Sequence, residues 1–174
     1  YQEDGGQKTQ FDLWILPLTG NREPVPFLQT ESSEAGGRFS PDVHWVAYVS
    51  DESGQNEVYI RSFQAPNAQT VAKKGTMSGE QRQVSISGGD SPRWRGDGKE
   101  IYYFSPDNKM MAADIAIKDG SLDVSHVHTL FDVPSIVQLR MSDYDVTSDG
   151  KRFLINVPFE TQNQTPLALV VNWD

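Results

Sequence analysis

Three copies of one short pattern constrain the fold of this chain more than any other feature. Each copy has an aspartate in a tight turn, and these residues, Asp42, Asp97 and Asp149, lie at intervals of 55 and 52 residues. The copies also agree around the aspartate. A hydrophobic side chain comes three residues before it and another comes six residues after it, at Phe39 and Tyr48, Trp94 and Tyr103, and Val146 and Ile155. The sequence therefore predicts an array of similar units.

The first copy, 38–63, shows what one unit contains. A short segment ends at the Ser-Pro-Asp turn, an apolar run follows at 45–49, and a polar turn leads to a second run at 58–63. This order is typical of antiparallel strands joined by tight turns. One four-stranded propeller blade needs about 40–45 residues, so each copy fits one blade with a longer loop. We therefore predict an all-β fold, a β-propeller or partial propeller of four-stranded antiparallel blades.

The strand count predicts that the ring is incomplete. We expect a single domain over 1–174, with full blades at 31–89 and 90–139 and partial blades at 11–30 and 140–174. A closed propeller has about four to eight blades, and the end blades of an open one expose apolar flanks. We expect either self-association or completion by a missing N-terminal part of a longer parent. A small closed four-blade ring is the alternative, and the mass in solution distinguishes these states.

Individual strands and turns are also predicted. Apolar and alternating segments indicate strands at 12–17, 25–28, 45–50, 57–63, 82–87, 100–104, 110–117, 127–131, 152–157 and 167–173, and 64–79 is predicted to be a long loop. Asp97-Gly98 and Asp149-Gly150 favour type I′ hairpin turns, because such turns need positive φ. The first copy has Val43 in place of glycine, so we expect a different turn there, type I with a bulge.

Composition excludes several classes of function. The formal net charge is −9, and no local basic patch counters it, so a nucleic-acid partner is not expected. The chain has no cysteine, which excludes disulfides and thiolate chemistry. It has no apolar run of 18 residues, so membrane insertion by this segment is not expected. No catalytic motif is recognised, and no cofactor or metal is predicted.

The candidate site comes from the register of the repeat. Four residues before the aspartates lie Arg38, Arg93 and Asp145, at the start of the predicted innermost strands, where side chains open onto one face. Arg140 and Asp143 precede the last copy and are expected on the same face. Such residues can form a polar ring that binds a small anionic ligand. A salt bridge between Arg93 and Asp145 is the competing interpretation, and it is the commoner use of such a pair.

Other polar residues are interpreted as structural. His126 and His128 alternate on a predicted outer strand and fit a solvated face better than a metal site. His44 is expected to be exposed. Asp51, Glu52 and Glu57 flank a loop whose spacing does not match an EF-hand, so they are expected to cap a hairpin at a soluble rim. The pairs Gly36-Gly37 and Gly88-Gly89 precede innermost strands, where glycine allows close backbone approach.

The repeat resembles a known family. Residues 39–42 with the following 45–60, residues 94–103 and residues 144–153 resemble the WD-like repeats of TolB-type β-propellers. The C-terminal segments 156–160 and 167–174 are similar to the ends of propellers attached to bacterial transmembrane serine/threonine kinases and related sensors. The resemblance covers roughly residues 12–174.

The resemblance implies a non-enzymatic binding or protein-interaction module, a sensor or scaffold part of a larger bacterial protein with a protein partner or a small anionic ligand. It favours a periplasmic or extracytoplasmic location. The alternative is the propeller of a prolyl-oligopeptidase-type peptidase or of a propeller lyase, which binds or gates substrate. Whether the parent protein carries an enzyme stays open.

Overall fold

The described part of the chain consists of strands joined by turns and loops. The structure is a computed structural model that describes residues 2–3, 11–20, 22–65, 79–118, 120–134, 144–156 and 170–172. Its strands are β1 (Gln2–Glu3), β2 (Asp12–Ile15), β3 (Val25–Leu28), β4 (Glu34–Phe39), β5 (Trp45–Ser50), β6 (Glu57–Ser62), β7 (Gln81–Gln83), β8 (Asp90–Trp94), β9 (Glu100–Ser105), β10 (Lys109–Lys118), β11 (Ser121–Asp132), β12 (Tyr144–Val146), β13 (Arg152–Ile155) and β14 (Val170–Asn172).

The strands form four antiparallel sheets in chain order. The first sheet has the order β1-β2-β3 and the second β4-β5-β6-β7. The third has β8 to β11 in sequence, and the fourth has β12-β13-β14. Each strand therefore pairs with its neighbour in sequence, as in a propeller blade. The chain is all-β, and its sheets have the arrangement of a partial β-propeller with two four-stranded blades, as the repeat predicts.

The hydrophobic cores lie between successive sheets. Trp45 and Ala47 of β5 pack towards the third sheet, whereas Val46 and Tyr48 of the same strand pack towards the first. On β9, Ile101 and Tyr103 face the second sheet, and Tyr102 and Phe104 face the fourth. Alternate side chains of a strand point to opposite faces of its sheet, so both faces of each inner sheet are buried.

The register of the repeat is confirmed by these cores. The residues six positions after the aspartates, Tyr48, Tyr103 and Ile155, all pack against the preceding sheet. Trp94 and Val146, three positions before their aspartates, also pack between sheets. Phe39 is the exception, because 48% of its surface is exposed.

Several strand predictions are corrected. The first sheet has three described strands where two were predicted, because β1 pairs with β2. Strand β7 ends at Gln83 and not at Ser87, since the Val84 and Ser85 amides bond to a single carbonyl, that of Val58. Strand β11 runs from Ser121 and not from Val127, because its polar half pairs with β10. The predicted loop at 64–79 lies largely outside the described residues, as do residue 157 of one predicted strand and residues 167–169 and 173 of the last.

The three aspartate turns have one conformation, which corrects the turn prediction. In each turn, the amide of the residue after the aspartate donates to the carbonyl three residues back. The donating residues are Val43, Gly98 and Gly150. These residues have φ of 60°, 73° and 73°, and the two positions before each of them do not have positive φ. All three are therefore type I turns followed by a left-handed residue. The type I′ prediction for the second and third copies is wrong, whereas the type I turn expected at Val43 is found, so the three turns are alike.

Val43 therefore occupies a conformation that suits glycine. We expect Val43→Gly to raise the free energy of unfolding by about 1 kcal/mol, because the strain relieved by removing a β-branched residue at positive φ exceeds the cost of the unfolded-state entropy that glycine adds. The reverse change at the equivalent position, Gly98→Val, should destabilise the chain by a similar amount or more. Urea denaturation of both variants measures the effect. Destabilisation by Val43→Gly would contradict the strain argument.

Candidate functional site

Two arginines, Arg38 and Arg93, each follow a β-bulge in successive sheets. Strand β4 has a bulge between Ala35 and Arg38, and β8 has one between Asp90 and Arg93. In both bulges one residue has positive φ, Gly36 at 66° and Ser91 at 54°. A bulge bends the strand and changes the direction of the side chains that follow it. We call Arg38 and Arg93 the arginine pair.

The sequence predicted the arginine pair at the starts of the innermost strands. Both arginines lie near the strand ends instead. Each arginine is the penultimate residue of its strand, because β4 and β8 begin earlier than the repeat suggests. Each guanidinium also donates a hydrogen bond to the preceding carbonyl, from Arg38 to Gly37 O at 3.0 Å and from Arg93 to Pro92 O at 2.9 Å. The equivalence expected from the sequence therefore extends to the side chains.

The first strands of three sheets converge around these arginines. The Trp94 indole donates to the Arg38 carbonyl at 3.1 Å and so ties β8 to β4. The Arg93 guanidinium lies 5.3 Å from the centroid of the Tyr144 ring, which ties β8 to β12. Tyr144 is 4% exposed, and its hydroxyl donates to Tyr102 O at 3.0 Å. A cation over a fixed aromatic face is held in place by the ring quadrupole.

The predicted salt bridge between Arg93 and Asp145 is not formed. Among the described residues Arg93 contacts the Tyr144 ring instead. The Asp145 side chain is exposed, and it accepts a hydrogen bond from the amide of Val146 at 2.9 Å. The physical reason lies in the strand geometry, because neighbouring residues of β12 point to opposite sides and Tyr144 takes the inward one.

In the described part of the chain, the arginine pair has no ion-pair partner. Burial lowers the pKa of Arg38, and the neighbouring charge of Arg93 lowers it further, while Tyr144 and Asp145 act in the opposite direction. Within the described ranges neither guanidinium forms an ion pair with a carboxylate. Two half-buried like charges within electrostatic range of each other favour a bound anion nearby. Arg140 and Asp143, predicted for the same face, lie outside the described residues.

Tyr144 is a site residue that the sequence reasoning missed. Burial raises its pKa, although Arg93 and Arg38 act to lower it, so its hydroxyl stays protonated at neutral pH. Its position, five residues before the turn aspartate, corresponds to Gly37 and Pro92 in the other copies. The sequence did contain a signal for this residue, because the third copy has an aromatic side chain where the other two copies have small residues.

A buried carboxyl group, Glu34, was also missed. Glu34 is 1% exposed, and its amide donates to Phe11 O at 2.8 Å. The Thr30 hydroxyl donates to one carboxylate oxygen, while the other is buried without a hydrogen-bond partner. Burial raises the pKa of Glu34 to about 7, and the nearby charges of Asp12, Glu52 and Asp51 add to this effect. No feature of the surrounding sequence indicates that Glu34 is buried.

Glu57 corrects the prediction of a soluble carboxylate rim. It is 1% exposed and accepts hydrogen bonds from the Ser85 hydroxyl, from Gln55 Nε2 at 2.6 Å and from the Gly88 amide at 2.8 Å. Gly88 has φ of 92°, and a Cβ there would lie 2.2 Å from Pro106 Cγ. Glu57 therefore fixes the loop that leads into β8. Asp51 and Glu52 are exposed, and their carboxylates accept hydrogen bonds from outside that hairpin, from the Ser33 amide before β4 and from the Gln81 side chain of β7.

The histidines lie away from the arginine pair. The rings of His126 and His128 are 4.6 Å apart, and His126 Nδ1 lies 3.5 Å from Asp114 Oδ2 on the neighbouring strand. His44 is exposed beside Asp42. In the described ranges no three His, Asp or Glu side chains are grouped closely enough to hold a metal ion.

Comparison with known proteins gives distant structural similarities. No protein-family model matches the chain, and no curated protein matches it. An oligogalacturonate lyase from Vibrio parahaemolyticus is 13% identical at a TM-score of 0.42, covering 82% of this chain and 35% of the lyase. TolB from Acinetobacter baumannii is 15% identical at a TM-score of 0.36, covering 93% of this chain and 47% of TolB.

The chain thus spans less than half the length of either protein. The fold rests on the sheet topology described above, and the narrower resemblance to kinase-attached propellers stays a prediction. The described segments also include no helix with the length and apolar character needed to span a membrane.

Proposed function

We propose that this chain is a non-catalytic binding module of the propeller type, and that the arginine pair binds a small anionic ligand. One observation carries the proposal. Arg38 and Arg93 are half-buried, close enough to influence each other, and without a carboxylate partner among the described residues. Buried arginines with a purely structural role usually form ion pairs. The lack of a carboxylate partner among the described residues therefore supports a ligand-binding interpretation.

The surroundings of the pair support a binding role over catalysis. Arg93 is held over the Tyr144 ring, and both guanidiniums are anchored to the preceding carbonyl. Guanidinium groups fixed in this way offer their remaining donors to a carboxylate or phosphate with little loss of entropy. The exposed Asp145 lies on the third equivalent strand and favours ligands that bring a donor group as well as an anion. A role as a sensor or scaffold segment of a larger bacterial protein follows from the sequence resemblance.

The proposal predicts a selective loss of anion binding. Arg38→Ala and Arg93→Ala should each weaken binding of phosphate, citrate or acetate by about 10-fold or more, since a hydrogen bond to a charged group contributes about 1.5–3 kcal/mol. Titration calorimetry at low salt measures this. Arg82→Ala, which removes an exposed arginine that pairs with Glu80 on the second sheet, is the matched control and should not change affinity. Lower stability with unchanged anion binding would assign the pair a structural role.

A further inference from the structure

A pocket of ≈ 440 Å³ lies between the second and third sheets, beside the aspartate turns of these two sheets. Its apolar lining includes Trp45 of β5, Trp94 of β8, and Ile115 and Ile117 of β10. Trp45 and Ile115 belong to the hydrophobic core between the two sheets, and Trp94 packs against that core. The pocket therefore adjoins the core, and we call it the turn pocket.

One wall of the turn pocket is formed where β10 extends beyond its partner β9. Pairing with β9 ends at Asp114, whereas β10 continues to Lys118 and pairs there with β11. The extension includes Ile117, which lines the pocket and is 50% exposed. After the hairpin tip, the Ser121 hydroxyl donates to Glu80 Oε1 at 2.8 Å and ties the extension to the segment before β7. An apolar surface is thus held open to solvent beside the turns.

The two aspartates that line the turn pocket, Asp42 and Asp97, differ in their ion pairing. The Arg95 side chain donates to both carboxylate oxygens of Asp97, at 2.7 and 2.9 Å. The first copy has Ser40 at the position of Arg95, and its hydroxyl donates to Asp42 Oδ1. Among the described residues, the group of opposite charge near Asp42 Oδ2 is the exposed His44 ring, with Nδ1 at 3.5 Å. Asp42 therefore has no arginine or lysine partner within the described ranges.

The Asp42 carboxylate is ionised at neutral pH. The hydrogen bonds from the Ser40 hydroxyl and the His44 amide hold its pKa below its usual range, although burial acts in the opposite direction. Lys99 also lines the pocket, but its amide donates to Asp97 Oδ1 at 3.0 Å and its charge acts on that carboxylate. The turn pocket thus combines indole rings, aliphatic side chains and a negative charge.

We propose that the turn pocket binds an organic cation, an amine with an aromatic or branched apolar body. Its ammonium group lies at Asp42, and its body lies against Trp45, Trp94 and Ile117. Carboxylates bind ammonium groups through charge-assisted hydrogen bonds, and tryptophan faces attract cations. Pockets of about 300–1,000 Å³ hold drug-sized ligands, and the net charge of −9 favours the approach of a cation. This inference goes beyond the proposed anion site, because the described lining of the turn pocket includes neither member of the arginine pair.

Three small molecules separate the contributions of charge and apolar body. Ethylamine has the charge alone, tryptophol has the indole ring alone, and tryptamine has both. We expect tryptamine to bind about 10-fold or more tighter than either of the others, because it gains both a charged hydrogen bond and apolar burial. Titration calorimetry measures the affinities at pH 8, where histidine is normally uncharged. Tryptamine that binds no tighter than tryptophol or ethylamine would overturn the inference.

Asp42→Asn tests the position of the ammonium group. Asparagine keeps an oxygen that accepts the hydrogen bonds of the turn but loses the charge, so tryptamine should bind no tighter than tryptophol. Asp149→Asn is the matched control, because Asp149 has the same place in the third copy and accepts the same two kinds of hydrogen bond, from Thr147 and Lys151. It should leave the affinity for tryptamine unchanged. An equal loss in both variants would assign the effect to net charge or to the turns, and the inference would fail.

Ile117→Ala tests the position of the apolar body. Ile117 is half-exposed, so its truncation has little expected effect on folding and should weaken both tryptamine and tryptophol several-fold. Val127→Ala removes an apolar side chain of similar exposure on β11, 45% against 50%, and should change neither affinity. Unchanged binding in Ile117→Ala would show that the body lies elsewhere. Arg38→Ala should leave tryptamine binding unchanged, so that the turn pocket and the anion site are judged separately.

Discussion

Replacing Phe153 with alanine is expected to lower the free energy of unfolding by about 3–5 kcal/mol. Phe153 is 1% exposed and lies at the centre of the core between the third and fourth sheets. Its ring packs edge-on against Tyr102 at 5.0 Å and against Phe131 at 5.3 Å. Truncation loses the transfer free energy of the ring and leaves a cavity that a closely packed core cannot fill. Denaturant titration followed by circular dichroism measures the loss.

The next residue in the strand supplies the control for this prediction. Leu154 points to the other side of β13 and is 62% exposed. Leu154→Ala should therefore change the free energy of unfolding by no more than about 0.5 kcal/mol. If the two variants were equally stable, the assignment of alternate residues of β13 to core and surface would be wrong.

The second large effect is a dependence of stability on pH that resides in Glu34. Burial raises the pKa of this carboxyl group from 4.5 to about 7, so the folded chain holds a proton that the unfolded chain releases. The stability that Glu34 contributes is therefore fully present below pH 4.5 and is lost as the pH rises through about 7. The linked change in the free energy of unfolding is up to about 3 kcal/mol.

Glu34→Gln tests this directly, because glutamine resembles the protonated carboxyl group at every pH. The variant should match the parent chain near pH 4 and be more stable by about 1–3 kcal/mol at pH 8. Asp123→Asn, at a carboxylate that is 51% exposed, should leave the pH profile unchanged. Thermal unfolding between pH 4 and pH 8 gives both profiles. A parallel loss of stability with pH in Glu34→Gln would place the titrating group elsewhere.

Much of the fold could be predicted because the sequence repeats its turns. Strands β3 and β5 lie at the predicted residues, since each is an apolar run closed by turn residues on both sides. The strand predictions are wrong where hydrogen bonding between strands, and not the pattern of side chains, determines the end of a strand. Strand β11 begins six residues before its prediction because β10 pairs with the polar segment at Ser121–Ser125. A pattern of apolar residues cannot show hydrogen bonds between polar stretches.

The candidate site was half predictable for a similar reason. Alignment of the copies selected Arg38, Arg93 and Asp145 as equivalent residues, and in the structure the charges of Arg93 and Asp145 both act on the pKa of Arg38. It could not show that Tyr144 would take the inward position or that Asp145 would remain exposed. Glu34 was not predictable, because its burial arises from the first sheet, which packs against it from a distant part of the sequence.

The position of the cores between sheets has a consequence for how the chain opens. Among the described residues, the second and third sheets each contribute to two cores, whereas the first and fourth each contribute to one. Local unfolding of an outer sheet therefore disrupts one hydrophobic core, and unfolding of an inner sheet disrupts two. In a linear array of this kind, opening begins at the ends and moves inward. Backbone amides of β5, β9 and β10 should accordingly be the slowest to exchange with deuterium, and those of β2 and β13 should exchange first.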